Sequence, residues 1–254
     1  MDFPVATPIH PTHAWRGWLA VAMLSWLAWP APGRAEATAC QPLTVPTTIT
    51  VPGRYCLVAD STQAFSLWAI AIAADDVVLD CNHHRLRNTD AASVWPGIRA
   101  EDRRNVTVRN CVIDGFHDGI SFGNNGAGTV IRDNVISGLR PPPGDPVNDV
   151  MGIFLANVQD TEISGNVISD MHARTNRCAW GVYGSGAVGV LAAGNTLQSA
   201  LQPGVAPYDG TPCGGISLFG TAGQQATNVC RDNVVGHFNT DITGCGASDA
   251  NSEF

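Results

Sequence analysis

Short apolar segments recur along the chain around two marker positions. One marker is a Gly-Ile pair or a close equivalent, and the other is an asparagine that stands three residues after an apolar residue. The stretch Asn105 to Ile120, NVTVRNCVIDGFHDGI, contains one whole unit, with Cys111 at the asparagine position. The apolar residues of the first marker are Ile98, Ile120, Ile153, Val182 and Ile216, with Ile70 and Ile242 fitting less well. The asparagines are Asn82, Asn134, Asn166, Asn195 and Asn233, preceded by Leu79, Ile131, Ile163, Ala192 and Cys230, with Val108 before Cys111. Spacings of 22 to 34 residues between the Gly-Ile markers are typical of solenoid repeats.

The repeated segments alternate apolar and polar residues with a period of two, which predicts β-strands. Each strand is too short to be stable alone, so the units must stack and share a core. Asparagine tolerates the left-handed backbone of a sharp bend, and stacked asparagine amides can bond along a ladder. A β-sandwich with frequent turns is the alternative. Sandwiches do not usually keep two marker positions at a nearly constant spacing along the sequence through six units.

The first units carry a resemblance to a known fold family. The segments Val51 to Leu57 (VPGRYCL), Ile70 to Ile72 (IAI) and Val77 to Asn82 (VVLDCN) resemble the first coils of the right-handed parallel β-helix superfamily. Pectate lyases and many secreted bacterial repeat proteins belong to it, and the resemblance covers residues 51 to 245. It implies an all-β, single-stranded right-handed parallel β-helix of about six to seven coils. It does not single out one activity, because one fold hosts many functions.

The N-terminal residues resemble a secretory leader. Arg16 precedes an apolar run from Trp18 to Trp29, which is too short to span a bilayer, and small residues around Ala35 offer a cleavage site. We therefore predict a signal peptide over 1–35, a cap segment over 36–66, the β-helix over 67–245 and a disordered polar tail over 246–254. The predicted location is secreted or periplasmic, with no membrane contact after leader removal. A retained membrane anchor is the alternative.

Charge excludes one class of partner. The chain has no lysine, and cleavage after Ala35 would leave 12 arginines against 21 acidic residues. Nucleic-acid binding needs clustered basic residues, so this acidic chain is not expected to bind nucleic acid.

The eight cysteines form an even set in a chain predicted to be exported, which favours disulfides. The repeat register places Cys81 and Cys111 one residue apart on neighbouring coils, and Cys178 and Cys213 likewise. Adjacent coils are about 4.8 Å apart, which is within reach of a disulfide. Closure of the two ends then pairs the remaining four cysteines as Cys40–Cys56 and Cys230–Cys245. Metal binding is the alternative, although no close Cys/His cluster occurs in the sequence.

The connections between units differ in length on the two sides of the solenoid. The number of residues from each Gly-Ile marker to the next asparagine position varies only from 12 to 17. The number from that position to the next Gly-Ile marker varies from 9 to 21. Insertions on one face commonly mark the working face of a repeat protein. The short connection Val112 to Gly119 lies between the longer ones at 87–95 and 140–149, which predicts a notch. Trp95, His117 and Val150 occupy one row in this register.

The notch carries groups suited to acid–base chemistry. Imidazole and carboxylate side chains together act as general acids and bases, so His117, Asp118 and Asp114 are the candidate catalytic residues. The candidate substrate-binding residues are Trp95, Arg99, Arg140, Asp149, His172 and Arg174. The acidic groups could also hold Ca²⁺ through oxygen ligands. The superfamily resemblance implies a polysaccharide partner and a lyase, hydrolase or epimerase activity; in its lyases calcium binds the uronate and a basic residue removes the C5 proton.

The sequence departs from the known enzyme patterns. Asn88-Thr-Asp90 and Asn239-Thr-Asp241 match one element of polygalacturonases, but the remaining elements do not follow. The alternative is therefore a non-catalytic carbohydrate-binding or structural β-helix, in which the notch aspartates form turns and His117 is a solvated loop residue. Copper-accessory β-helix proteins of the periplasm are a further comparison. Only two methionines, Met151 and Met171, lie beyond the leader, which argues against a copper site built from methionines. Phe154 and Tyr183 should point outward on adjacent coils, where they could stack on sugars or pack beneath a loop.

Overall fold

The alternating segments form short strands, as their pattern predicts. The protein is described by a computed structural model over residues 40–143, 149–173, 177–199 and 214–253. In chain order the elements are β1 (Gln41–Leu43), β2 (Thr47–Ile49), β3 (Gly53–Leu57), β4 (Ser61–Gln63), β5 (Ile70–Ile72), β6 (Val77–Asp80), β7 (Arg85–Asn88), β8 (Ile98–Glu101), β9 (Thr107–Arg109), β10 (Val112–Asp114), β11 (Ile120–Gly123), β12 (Val130–Arg132), β13 (Val135–Ser137), β14 (Val150–Ala156), β15 (Glu162–Ser164), β16 (Val167–Ile168), β17 (Ala179–Ser185), β18 (Leu191–Ala193), β19 (Thr196–Gln198), β20 (Gly214–Phe219), α1 (Ala222–Gln225), β21 (Val229–Arg231), β22 (Val234–Gly236), β23 (Thr240–Thr243), β24 (Ala247–Asp249) and β25 (Ser252–Glu253).

Three sheets run along the solenoid, and each successive coil adds one strand to each of them. The first sheet has the order β1-β3-β6-β9-β12-β15-β18-β21-β24, the second β2-β5-β8-β11-β14-β17-β20-β23, and the third β4-β7-β10-β13-β16-β19-β22-β25. Neighbouring strands pair in parallel in all three, as in β8 with β11 and β12 with β15. This arrangement confirms the predicted all-β parallel β-helix.

The Gly-Ile marker forms one continuous inward row on the second sheet. The strand register places Ile98 beside Ile120, Ile120 beside Ile153, Ile153 beside Val182 and Val182 beside Ile216. All five side chains are fully buried. The less regular markers extend the same row, since Ile70 pairs with Ile98 and Ile216 with Ile242. The predicted winding is therefore confirmed, and the repeat places its apolar residues in a shared core.

A ladder of buried asparagines marks the bend between the first and third sheets. Its members, the asparagine ladder, are Asn134, Asn166, Asn195, Asn233 and Asn251. Each of the first four donates an amide hydrogen to the side-chain oxygen of the next. Asn82, which the spacing assigns to the same row, lies outside the ladder. It is exposed and donates to the Leu57 carbonyl, because Cys81 takes the buried position.

The first and last described segments take part in the sheets more fully than the sequence predicts. Residues 41–63, within the predicted cap segment, form β1 to β4 and pair with later strands. The terminal residues expected to be a disordered tail form β24 and β25, which pair with β21 and β22. Asn251 explains why, because its side chain completes the asparagine ladder and accepts the backbone N–H of Asn233.

Disulfides join three of the four predicted pairs, namely Cys40–Cys56, Cys81–Cys111 and Cys230–Cys245. Cys178 is also disulfide-bonded. Its predicted partner, Cys213, lies outside the described residues. Within the part of the chain described here, no helix is long and apolar enough to cross a membrane.

Asp80, at the end of β6, makes stability depend on pH. Burial raises the pKa of its carboxyl, but hydrogen bonds from Asn110, Asn82 and Arg109 outweigh burial and hold the pKa below 3.8. Because the folded-state pKa is lowered, the stabilisation is present above pH 3.8 and is lost as the pH falls through the folded-state value. Replacing Asp80 with asparagine should therefore cost about 1.5–3 kcal/mol of unfolding free energy at pH 7, with a smaller cost in strong acid.

Urea unfolding at several pH values measures this dependence. Asp102→Asn is the matched control, since the Asp102 carboxylate is 69% exposed and asparagine also tolerates its left-handed backbone. If the two variants lost equal unfolding free energy at pH 7, the hydrogen-bonded Asp80 carboxylate would not be the source of the stabilisation. A loss at Asp80 that stayed the same in acid would contradict its lowered pKa.

Candidate functional site

A cleft opens where the loop lengths predict a notch. It lies along the connections from the third sheet to the second, where the short turn after β10 is flanked by the longer loops after β7 and β13. Its volume is about 280 Å³. The lining residues are Arg87, Asn88, Thr89, Asp90, Ala91, Ser93, Asp114, Gly115 and Arg140. The unequal connections thus create a polar cleft that crosses three coils.

The cleft combines guanidinium and carboxylate groups. Arg87 and Asp114 are paired in the register of β7 and β10, which brings Arg87 Nε to 3.4 Å from Asp114 Oδ2. The Arg87 side chain remains 53% exposed, and Arg140 is exposed across the cleft. Arg140 Nε donates to the Gly138 carbonyl, which directs its side chain along the rim. Two guanidinium groups therefore line the cleft together with the carboxylates of Asp90 and Asp114.

The floor of the cleft is held rigidly by a buried amide. The Asn88 side-chain oxygen accepts the backbone N–H groups of Phe65 and Asp90, both at 2.9 Å, and its amide nitrogen donates to the Phe65 carbonyl. Gly115, directly above, has a φ of +77°, and a Cβ there would lie 2.5 Å from the Asn88 carbonyl oxygen. Only glycine fits this close approach, so the short turn lies directly on the strand below it.

The structure separates the predicted catalytic residues. Asp114 lines the cleft, whereas His117 and Asp118 are absent from its lining. His117 is only 5% exposed, so it is not the solvated loop residue of the alternative interpretation. Its Nδ1 lies 3.1 Å from Asp118 Oδ1, and the same Asp118 oxygen accepts the backbone N–H of Met151. The pair ties the short turn to the next coil, and its catalytic role stays a prediction.

Trp95 and Arg99 meet on the outer face of the second sheet. Trp95 packs edge-on against Trp68, with ring centroids 5.2 Å apart, and the Arg99 guanidinium lies over both rings at 5.1 and 5.5 Å. Arg99 also pairs with Glu101. Trp95 therefore anchors the loop whose other residues, such as Ser93, line the cleft. It supports that wall and is not itself part of the lining.

The other predicted substrate-binding residues are dispersed. Asp149 accepts the backbone N–H of Cys178 and, through its other oxygen, the indole N–H of Trp180. His172 Nε2 lies 2.6 Å from Asp170 Oδ1. Arg174 lies outside the described residues. Of the predicted residues, Asp114 and Arg140 are the two that the cleft brings together.

Sequence reasoning missed Arg87, Asp90 and Asn88 as individual site residues. The signal for Arg87 was present, because aligning the apolar positions Leu86 and Ile113 places Arg87 beside Asp114. The sequence carried no signal for Asn88, since its partner Phe65 stands 23 residues earlier, outside the repeat pattern. Within the described ranges, no group of three or more His, Cys, Asp or Glu side chains is placed to hold a metal ion.

Comparison with known proteins identifies the family. The sequence profile described as "Periplasmic copper-binding protein (NosD)" matches residues 58–212, which is more than half of the chain. No curated protein and no solved structure shows significant similarity to the chain. The family is periplasmic, and the disulfides agree with a location outside the cytoplasm. The chain therefore belongs to the NosD family of periplasmic β-helix proteins.

Proposed function

We propose that this periplasmic β-helix protein binds an acidic polysaccharide in the cleft. The observation that carries the proposal is that the exposed side chains of Arg87 and Arg140 line the same open cleft on the insertion-bearing side of the solenoid. Guanidinium groups bind carboxylates through paired, charge-assisted hydrogen bonds, which suits the carboxylate of a uronic acid. Asp90 and Ser93 add acceptors and a hydroxyl for sugar hydroxyl groups. A cleft that crosses successive coils suits an extended chain better than a compact metabolite.

The net charge of the protein restricts binding of this ligand to a local site. The formal net charge is −8, so the molecule as a whole repels a polyanion. Binding then depends on the two arginines that face the cleft and weakens as added salt screens them. Such a ligand would select this cleft over the rest of an acidic surface.

Modification of the bound polymer is a second candidate function. Asp90 and Asp114 both line the cleft, and a carboxylate pair can serve as acid and base in glycoside chemistry. A lyase, hydrolase or epimerase would need one of them to reach the sugar ring. The burial of His117 and its absence from the lining favour binding without catalysis. Calcium bridging a uronate to these carboxylates stays a prediction.

Copper, named in the family description, does not fit the described residues. No cluster of three potential His, Cys, Asp or Glu ligands is found among them. Met171 is buried in the main core, while Met151 packs with Trp180 outside that core. The two thioethers therefore do not form a shared site, and no copper step is assigned to this chain.

Titration with hexagalacturonate tests the proposal. Arg87→Ala and Arg140→Ala should each weaken binding about tenfold at low salt, since a charged hydrogen bond contributes about 1.5–3 kcal/mol and exposure reduces that value. Isothermal titration calorimetry measures the affinity. Arg132→Ala is the matched control, because Arg132 lies on β12 outside the cleft and is 40% exposed on its side chain.

Equal losses for Arg87→Ala and Arg132→Ala, or no binding by the unaltered protein at low salt, would refute the cleft as a uronate site. A parallel assay for unsaturated product or new reducing ends, with and without Ca²⁺, separates modification from binding. If neither product appears while hexagalacturonate still binds, the catalytic candidate fails and the binding proposal stands.

A further inference from the structure

Four aromatic side chains form a continuous cluster on the outer face of the second sheet. Its members, the aromatic platform, are Phe154, Trp180, Tyr183 and Phe219. Phe154 and Tyr183 stand side by side in the register of β14 and β17, with ring centroids 6.0 Å apart and a 30° angle between their planes. Phe219, on β20, lies 5.3 Å from the Tyr183 ring. These three strands have 7, 7 and 6 residues, so the platform stands on the longest strands of the solenoid.

The platform is outside the main core, and its base is fixed. Trp180 lies in a small cluster of its own with Cys178, packed by Met151 and Tyr183. Trp180 is only 4% exposed, and its ring contacts those of Tyr183 and Phe219. Its indole nitrogen donates to Asp149 Oδ2 at 3.0 Å. Because Trp180 and Asp149 fix the base, the partly exposed rings above it have a defined orientation.

The accessible rings suit a sugar. Phe219 is 38% exposed, and Phe154 and Tyr183 are half-buried. Aromatic faces carry partial negative charge and bind the slightly positive C–H groups on the flat face of a pyranose ring. Hydroxyl groups for the equatorial substituents stand beside the rings, on Ser121 of the preceding strand and Ser185 at the end of β17.

The direction of the platform matches that of the cleft. Arg140 follows β13, and Phe154 lies on β14, the next strand of the same coil. The platform then continues along the axis through β17 and β20, each step about 4.8 Å. The cleft and the platform therefore both extend along the solenoid axis and share the coil that carries β13 and β14, as two subsites for one extended polymer require.

We propose that the aromatic platform is a second saccharide-binding subsite, which stacks pyranose rings, uncharged ones included, on Phe154, Tyr183 and Phe219. The proposal extends the proposed function, in that both subsites serve one polymer. Its chemistry differs, because no arginine belongs to the platform and stacking does not require a carboxylate. The ligand class is a polysaccharide that contains neutral sugars with equatorial substituents beside its acidic ones.

The test uses cellohexaose as a neutral probe and hexagalacturonate as an acidic one. Cellohexaose should bind the unaltered protein and change its tryptophan fluorescence, because Trp180 underlies the platform. Phe154→Ala combined with Phe219→Ala should weaken cellohexaose binding about tenfold, since two aromatic contacts are lost. Arg132→Ala, which lies in neither the cleft nor the platform, should leave cellohexaose affinity unchanged.

A single-site variant and a folding measurement keep the outcomes distinct. Phe219→Ser alone, at the most exposed ring, should weaken cellohexaose binding severalfold even if the double variant does not fold, and urea unfolding verifies its integrity. No cellohexaose binding at millimolar concentration, or equal binding by the platform variants, overturns the second subsite. If the unaltered protein does not bind hexagalacturonate but binds cellohexaose in a way that depends on Phe219, the cleft proposal is refuted and the platform is supported.

Discussion

Replacing Gly152 with alanine should destabilise the solenoid by roughly 3 kcal/mol or more, because overpacking at this point meets backbone as well as side chain. An added Cβ would stand 2.5 Å from the carbonyl oxygen of Gly181 on the next coil and 2.5 Å from Ile168 Cγ2. The backbone cannot move away without breaking the register between β14 and β17. The free energy of unfolding in urea measures the loss.

Gly123→Ala is the matched control for this substitution. A Cβ at Gly123 has its nearest neighbours at 3.8 and 3.9 Å, which is ordinary van der Waals contact. Its effect should stay within about 0.5 kcal/mol. If Gly152→Ala were as mild as Gly123→Ala, the close stacking of the glycine marker on the next coil would be wrong.

Removing Asn166 should have the second large effect. Its amide nitrogen donates to the Ile131 carbonyl and to Asn195 Oδ1, while its own oxygen accepts two bonds from Asn134. Alanine would remove a bond to the Ile131 carbonyl and leave the Asn134 backbone N–H unpaired on the preceding coil, and it would take one of two donors from Asn195 Oδ1 on the following coil. The site is fully buried, so water cannot replace these bonds. Each unsatisfied buried group costs about 1–3 kcal/mol, so a total loss of roughly 3–5 kcal/mol is expected.

Urea unfolding followed by two spectroscopic probes measures this loss. A break in the middle of a stack of nearest-neighbour contacts should also separate the two halves, so the probes should no longer report a single transition. Val167→Ala is the control, since Val167 directly follows Asn166 and is 41% exposed. Comparable losses for the two variants would show that the ladder contributes nothing beyond the strand itself.

The repeat could be predicted from the sequence because it depends on local patterns. An apolar side chain must face inward on every coil, so Ile98, Ile120, Ile153, Val182 and Ile216 reveal their row through spacing alone. The pairing of Cys81 with Cys111 followed from the same register. Asn82 was misassigned because a spacing rule cannot show that Cys81 takes the buried position at that bend.

The location of the cleft was also predictable, but its lining was not. A short connection between longer ones leaves a gap in any stack, whatever its residues. Which side chains enter the gap depends on contacts between segments far apart in sequence, such as Asn88 with Phe65 and Trp95 with Trp68. Those contacts turn Trp95 away from the cleft lining, and the tie from Asp118 to Met151 holds the His117 turn against the next coil.

The sequence by itself determined how this chain winds, because burial of a periodic apolar row is a property of neighbouring residues and their spacing. Only the tertiary structure decided which polar side chains face an open surface. Loop orientation is set by the coils above and below, so Arg87, Asp114 and Arg140 come together only once those coils have stacked. The aromatic platform arises in the same way, because Phe154, Tyr183 and Phe219 become neighbours when β14, β17 and β20 lie side by side.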